Sequence, residues 1–126
     1  MKLLAFSWAS HTSVNRQIFR ALNEEKDLQV KVVFPKKIKK NGIIINCDPY
    51  ENELMDCFAL DISSANPRHN RYKGVFELIN SFNPDIIFHE DDPISFQAIQ
   101  YGIWCFINNK KLICRTNQNV SIKYRS

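Results

Sequence analysis

The sequence contains few glycines, and this scarcity excludes a large group of ligand-binding loops. Only three of the 126 residues are glycine, and neither G-x-G-x-x-G nor G-x-x-x-x-G-K-[ST] occurs. Both motifs need glycine because their backbone must approach a phosphate group closely. A glycine-rich phosphate loop is therefore largely excluded, and a nucleotide-binding Rossmann domain of the usual kind is disfavoured.

Cysteine motifs and long hydrophobic runs are also missing. None of the four cysteines forms C-x-x-C, and no histidine pair has zinc-finger spacing. No G-x-S-x-G motif or cysteine–histidine neighbour pair indicates a nucleophile. The apolar start of the chain is too short for a signal peptide, and no stretch approaches a transmembrane span. We therefore expect a cytoplasmic protein with reduced thiols, no metal and no cofactor.

The charge balance is mildly basic, with a net charge of +4. This favours phosphates, nucleic acid or anionic membrane surfaces, although a soluble protein with surplus lysines has the same composition. No nucleic-acid partner is expected. A basic turn predicts either a solvated loop or peripheral contact with a membrane, so a membrane-peripheral location stays open. Its lysines are Lys36, Lys37, Lys39 and Lys40.

Hydrophobic patterning predicts an α/β fold with a Rossmann-like, mainly parallel sheet and flanking helices. Segments rich in apolar and β-favouring residues at 2–7, 28–34, 57–61, 85–88 and 111–115 predict strands. The apolar runs at 2–7 and 85–88 are typical of strands covered on both faces. A short edge strand is expected at 43–46. Helices are predicted at 13–25, 72–82 and 93–108. Right-handed crossovers make neighbouring strands parallel and give a strand order near 3-2-1-4-5.

Helical periodicity also predicts which side chains face the core. In the first helix these are Val14, Ile18, Ala21 and Leu22, and in the second Val75, Leu78, Ile79 and Phe82. The last helix has a stripe of Phe96, Ile99, Ile103 and Phe106, with further apolar residues around it.

A helix that is apolar nearly all round is normally buried on several sides, so we expect it to pack against protein outside these 126 residues. Residues 119–125 resemble a helix that is just beginning. The interpretation is a single domain at 1–126 that is incomplete at its C-terminus.

Polar side chains follow three predicted strands, at the point where each strand ends. In open α/β sheets, ligands bind at the edge formed by the carboxyl ends of the strands. Arg16, one turn into the first helix, is close enough in sequence to reach the same cleft. The expected substrate-binding residues are therefore Ser10, His11, Arg16, His89, Glu90, Asp91, Gln118 and Asn119.

Carboxylates and amides in these positions suit a ligand with many hydroxyl groups. Each group also has an ordinary structural explanation, because Ser13 and Asp92 are good helix caps and Asn117 and Asn119 are common in turns. Three loops that converge on one edge are stronger support for a site than any one loop.

Four segments resemble a known family. They are HTSVNR at 11–16, Phe34-Pro35 at the end of the second strand, PDIIFHEDDP at 84–93, and Gln118-Asn119 after the last strand. In this order and spacing they are similar to the N-terminal domain of group 1 (family four) glycosyltransferases, which have the GT-B fold. The likeness covers nearly the whole chain, apart from residues 41–66.

The resemblance implies a retaining transfer of sugar between two Rossmann-like domains that face each other across a cleft. The N-terminal domain takes the acceptor, a glycan or a lipid-linked sugar. The C-terminal domain, which is not in this sequence, binds the nucleotide-sugar donor. His11, Glu90, Gln118 and Asn119 would line the cleft. Because Gln118 and Asn119 stand where many relatives carry a histidine that assists the reaction, no catalytic residue is assigned.

A second hypothesis is a complete, small flavodoxin-like module that binds a ligand or a partner without catalysis. It predicts a stable monomer in which the last helix is covered by the rest of the chain.

Overall fold

Five parallel strands form the centre of the protein. The structure is a computed structural model that describes residues 1–63, 71–90 and 95–115. The strands of the central sheet are β1 (Lys2–Ser7), β2 (Gln29–Pro35), β5 (Asp56–Leu60), β6 (Ile86–Glu90) and β7 (Lys111–Cys114). Their order is β5-β2-β1-β6-β7, and every neighbouring pair is parallel. This confirms the predicted α/β fold and the predicted strand order.

The remaining elements within the described residues are three α-helices, two short 3-10 helices and a separate hairpin. The α-helices are α1 (Gln17–Asn23), α2 (Val75–Phe82) and α3 (Phe96–Asn108). The hairpin consists of β3 (Lys37–Lys40) and β4 (Ile43–Asn46). No helix in residues 1–63, 71–90 or 95–115 has the length and apolar character needed to cross a bilayer.

Both faces of the sheet are covered, which explains why its inner strands are continuous apolar runs. Successive side chains of a strand point to opposite faces. Leu4 and Phe6 of β1 therefore pack with α2 and α3, whereas Leu3 and Ala5 pack on the side of α1. The ring of Phe6 stacks on Tyr101 of α3 at 4.1 Å between centroids, and this contact fixes α3 against the sheet.

The first helix differs from the prediction in its start and in its buried face. Residues Trp8–His11 and Ser13–Arg16 form 3-10 helix, and α1 begins only at Gln17. Each 3-10 residue advances about 120° around the axis instead of about 100°, so the periodicity assumed from Val14 onward is out of phase. Phe19 is fully buried, whereas Val14 and Ile18 are 59% and 42% exposed. Of the other two residues predicted to face the core, Leu22 packs against it and Ala21 is exposed.

The buried face of α3 was also predicted wrongly. The expected stripe of Phe96, Ile99, Ile103 and Phe106 is exposed, and the buried residues are Gln97, Ala98, Tyr101 and Cys105. A helix with apolar residues all round has no unambiguous face, so packing partners decide its orientation. The N-cap is Ser95, whose side chain accepts a hydrogen bond from the Ala98 N–H at 3.2 Å. The predicted start near residue 93 is therefore too early, and Asp92 lies outside the described residues.

The buried face of the second helix agrees with the prediction, since Val75, Ile79 and Phe82 are buried in the core. The helix begins at Val75 and not near Tyr72, because Tyr72 forms a β-bridge with Ile62 and Gly74 is left-handed with φ 77°.

The segment predicted as a basic turn is largely a strand, β3. β3 pairs antiparallel with β4, so residues 43–46 belong to a hairpin and not to the central sheet. The turn is Asn41-Gly42, with φ values of 53° and 78°. Positive φ at both positions is typical of the tight type I′ turn, which favours this dipeptide.

The corrected face of α1 can be tested by truncating one residue of each face. Phe19→Ala removes a fully buried ring and should lower the free energy of unfolding by about 3 kcal/mol or more. Ile18→Ala should cost less than about 1 kcal/mol because the side chain is already partly in water. Urea denaturation measures both. The reverse order would restore the face predicted from the sequence.

Candidate functional site

The ends of β1, β6 and β7 meet at the carboxyl edge of the sheet. Ser7 is paired in register with Glu90, and His89 with Cys114. The residues that follow these strands therefore lie close together. This is the edge at which open α/β sheets bind their ligands.

Glu90 is the centre of a hydrogen-bonded group at this edge. The Ser7 hydroxyl donates to Glu90 Oε1 at 2.6 Å, and the Ser10 hydroxyl donates to Ser7 Oγ at 2.8 Å. Arg115 Nη1 lies 3.4 Å from Glu90 Oε2. We call Ser7, Ser10, Glu90 and Arg115 the Glu90 cluster. The glutamate is buried and Arg115 is half exposed, so a compensated carboxylate lies beneath a guanidinium that reaches solvent.

His89 does not join this cluster, although it precedes Glu90 in the sequence. The two side chains point to opposite faces of the sheet because they are neighbours in one strand. The buried ring of His89 packs edge-on against Tyr101, with its Nε2 atom 3.3 Å from Ser95 Oγ. His89 therefore contacts the start of α3.

Arg16 is fully buried, and its guanidinium makes five hydrogen bonds. A guanidinium has five N–H donors, so none is left for a ligand. The group also lies 4.5 Å from the centroid of the Phe34 ring. Arg16 thus attaches the loop after β1 to residues 48–53. The acceptors are the carbonyl oxygens of Ser10, His11, Asp48 and Pro49 and the carboxylate of Glu53.

The Glu53 carboxylate pairs with two arginines and offsets one of their two charges. Its carboxylate accepts two hydrogen bonds from Arg20, both at 2.6 Å, and one from Arg16 at 3.4 Å. The hydrogen bonds from Arg20 lower the pKa of Glu53, with Arg16 acting in the same direction and burial opposing it. Glu53 therefore remains ionised to lower pH than an isolated glutamate.

His11 lies in the same loop as Ser10. Its backbone carbonyl accepts a hydrogen bond from the Asp48 N–H at 2.7 Å as well as one from Arg16. The ring atom Nδ1 is buried and has no hydrogen-bond partner within the described part of the chain. Buried polar atoms are nearly always paired with protein or water, so this nitrogen is a candidate for contact with a ligand.

A groove of about 300 Å³ lies between the hairpin and the carboxyl edge. Trp8 follows β1, and Ile62 and Ser63 follow β5, so these parts of the wall belong to the same edge as the Glu90 cluster. The remaining wall comes from the hairpin. Apolar walls with two ammonium groups suit an amphipathic molecule that carries negative charge. The hairpin residues are Lys37, Ile38, Lys39 and Ile44.

The structure brings together only some of the residues predicted for the site. Ser10 and Glu90 meet in one cluster, while His89 and Arg16 are buried elsewhere. Asp91, Gln118 and Asn119 lie outside the described residues. Sequence reasoning missed Ser7, Trp8 and Arg115 as site residues. Their signal was position alone, since each ends or directly follows a strand at the carboxyl edge.

The cysteines have no feature of a nucleophile. Burial raises the pKa of Cys57 to about 11, and it also raises the pKa values of Cys47, Cys105 and Cys114. The thiolate is the reactive form, so these thiols are weakly reactive at neutral pH. Within residues 1–63, 71–90 and 95–115, no group of three or more histidine, cysteine or acidic side chains is arranged to hold a metal ion.

Comparison with known proteins finds no family model, no curated protein and no solved structure that matches this chain significantly. The fold and the Glu90 cluster define the protein as a Rossmann-like α/β domain with a polar carboxyl edge.

The ion pairs of Glu53 predict a pH-dependent contribution to stability. Because the folded-state pKa is below its ordinary value of 4.5, the contribution is present above that pH and is lost as pH falls through the folded-state value. Glu53→Gln should lower the free energy of unfolding by about 2 kcal/mol at pH 7, and the difference from wild type should shrink below pH 4. Urea denaturation at several pH values measures this effect.

Glu25→Gln is the matched control, since Glu25 is exposed and its replacement should change stability little at any pH. A loss in Glu53→Gln that is equal at pH 7 and at acidic pH would contradict the role given to the charge.

Proposed function

We propose that this chain is the acceptor-binding domain of a retaining GT-B glycosyltransferase, which moves a sugar from a nucleotide-sugar to a glycan or a lipid-linked acceptor. The carboxyl edge is the acceptor site. The resemblance of segments 11–16 and 84–93 to that family suggests the proposal, and the parallel sheet with its 3-2-1-4-5 order is compatible with it.

The Glu90 cluster is the observation that carries the proposal. It joins the half-exposed guanidinium of Arg115 to the buried carboxylate of Glu90, which the chain of buried Ser10 and Ser7 hydroxyls holds in place. Sugar hydroxyl oxygens accept hydrogen bonds, so they are complementary to the N–H donors of Arg115 that reach solvent. A guanidinium is also well suited to a phosphate, as in a lipid-linked sugar.

The groove beside Trp8 supports the same assignment. Its apolar side chains and the ammonium groups of Lys37 and Lys39 fit the acyl and phosphate parts of a lipid-linked acceptor. His11, with its unpartnered Nδ1 in the described chain, directly follows Ser10 in the loop that begins with the groove residue Trp8. The proposed acceptor site thus extends from the groove to Arg115.

Transfer requires a second Rossmann-like domain for the nucleotide-sugar. Such a reaction depends on holding both substrates in one geometry across the cleft. Residues 1–126 should therefore bind an acceptor without catalysing transfer by themselves. The proposed setting is the cytoplasm, where nucleotide-sugars would reach the site.

A self-contained binding module is the second candidate. It requires that the rest of the chain cover α3. Ile99, Ile103 and Phe106 are exposed on that helix, which favours a domain that packs against further protein.

Nuclear magnetic resonance of the 126-residue chain can test the proposed acceptor site. In a titration with methyl glycosides and short alkyl glycosides, we expect amide shifts at residues 7–11 and at Glu90 and Arg115. Glu90→Gln keeps the side-chain shape but removes the charge that holds the Arg115 guanidinium, so it should weaken binding about tenfold. Glu25→Gln is the control and should bind like wild type.

Two results would contradict the proposal. One is a panel of glycosides that leaves this edge unchanged while shifting residues elsewhere or none at all. The other is turnover of a nucleotide-sugar by the 126-residue chain alone, because it would place donor binding and catalysis within these residues.

A further inference from the structure

The tip of the β3–β4 hairpin combines apolar and cationic side chains, all of them in water. Ile43 and Ile44 are 64% and 65% exposed, and Lys39 and Lys40 are exposed on the opposing strand. Adjacent apolar residues bordered by polar groups commonly mark a surface that contacts a protein or a membrane.

The register of the hairpin pairs each of these isoleucines with a lysine. Lys40 is opposite Ile43, and Lys39 is opposite Ile44. Directly opposed residues of an antiparallel pair share a face, so each face of the tip carries one lysine beside one isoleucine. A lysine can keep its ammonium group at the level of lipid phosphates while its apolar stem lies deeper. Either face of the tip therefore suits the boundary between headgroups and acyl chains.

The hairpin is also held in a fixed position. Its tip is the tight Asn41-Gly42 turn. At its base, the Lys36 N–H donates to the carbonyl of Leu60, and the Cys47 N–H donates to the carbonyl of Lys36, both at 2.9 Å. The hairpin follows the end of β2 directly, so it projects from the carboxyl edge of the sheet.

Charge identifies the surface that would cover the tip. Residues 36–46 contain four lysines and no acidic residue. We propose that the hairpin tip inserts into the surface of an anionic lipid bilayer, with Ile43 and Ile44 among the upper acyl groups and the lysines on lipid phosphates. Apolar burial and attraction to anionic headgroups act together in such contacts.

Membrane contact through the tip would place the carboxyl edge next to the bilayer. The groove beside Trp8 lies between the hairpin and that edge, so a lipid-linked molecule could enter it from the membrane surface. This consequence rests on the proposed function, whereas the membrane contact does not.

Co-sedimentation with vesicles tests the contact directly. The chain should bind vesicles of phosphatidylcholine and phosphatidylglycerol at least tenfold more tightly than vesicles of phosphatidylcholine alone, and added salt should weaken binding. Replacing Lys39 and Lys40 by glutamine should weaken it about 25-fold, since each lysine near such a surface contributes about fivefold. Replacing Ile43 and Ile44 by serine should weaken it at least about tenfold.

Matched control variants remove the same kinds of side chain from other parts of the surface. Lys26→Gln with Lys111→Gln removes two exposed lysines at the opposite edge, and Ile103→Ser with Ile107→Ser removes two exposed isoleucines from α3. Both controls should bind within about threefold of wild type. All the altered side chains are exposed, and urea denaturation checks that each variant is folded.

Five results would overturn the proposal. They are no binding to any vesicle, equal binding to neutral vesicles, wild-type binding by the hairpin variants, an equal loss in the controls, and a lipid-independent dimer that the hairpin variants abolish. The solvated hairpin, whose lysines only protect an edge strand from aggregation, predicts no vesicle binding. Glycoside-induced shifts at Glu90 are measured without lipid, so failure of either proposal leaves the other testable.

Discussion

A buried arginine, Arg16, joins two segments that are distant in sequence, the loop after β1 and residues 48–53. Its Nε atom donates to the carbonyl of Ser10 at 2.7 Å, while Nη1 and Nη2 reach the carbonyls of Pro49 and Asp48 at 2.8 and 2.9 Å. A buried charge without such partners would cost several kcal/mol. Movement of the loop after β1 would break these hydrogen bonds and leave the buried charge of Arg16 without its partners. Since Ser10 belongs to that loop, Arg16 acts as a positioning residue for the Glu90 cluster.

The same interaction connects the cluster to the hairpin. Residues 48–53, which supply three of the acceptors of Arg16, form part of the connection from β4 to β5. The hairpin base is tied to the end of β5 through Leu60. The guanidinium of Arg16 thus holds the loop after β1 and residues 48–53 in fixed positions relative to each other. Glu53 offsets part of the positive charge of this arrangement, because its Oε2 atom accepts hydrogen bonds from both Arg16 and Arg20.

The strands were predictable because burial on both faces leaves a simple sequence signal. The run at 2–7 matches β1, and the strand order follows from right-handed crossovers. The inward faces of α1 and α3 were not predictable from periodicity. A 3-10 segment changes the phase before α1, and α3 has apolar residues on every side. In both helices the outcome depends on packing against particular rings, which a single sequence does not specify.

The location of the candidate site was predictable from the sequence, but only some of its residues were. Position at strand ends identified Ser10 and Glu90, which the structure joins through Ser7. The same rule cannot distinguish Glu90 from His89. Neighbouring side chains of a strand point to opposite faces of the sheet, and tertiary packing decides which face carries the candidate site. Arg16 had the composition of a ligand-binding residue. Only its five acceptors, contributed by residues up to 37 positions away, reveal its structural role.

The charges at this edge differ in how far they act. Glu90 is buried and compensated by Arg115 and Ser7, so its carboxylate contributes little field at a distance. The exposed lysines of the hairpin have no acidic residue within residues 36–46, and their potential extends about a Debye length into solution. An anionic amphipathic molecule would therefore be attracted by the hairpin first. The Glu90 cluster would act only at contact, where hydrogen-bond geometry discriminates between ligands.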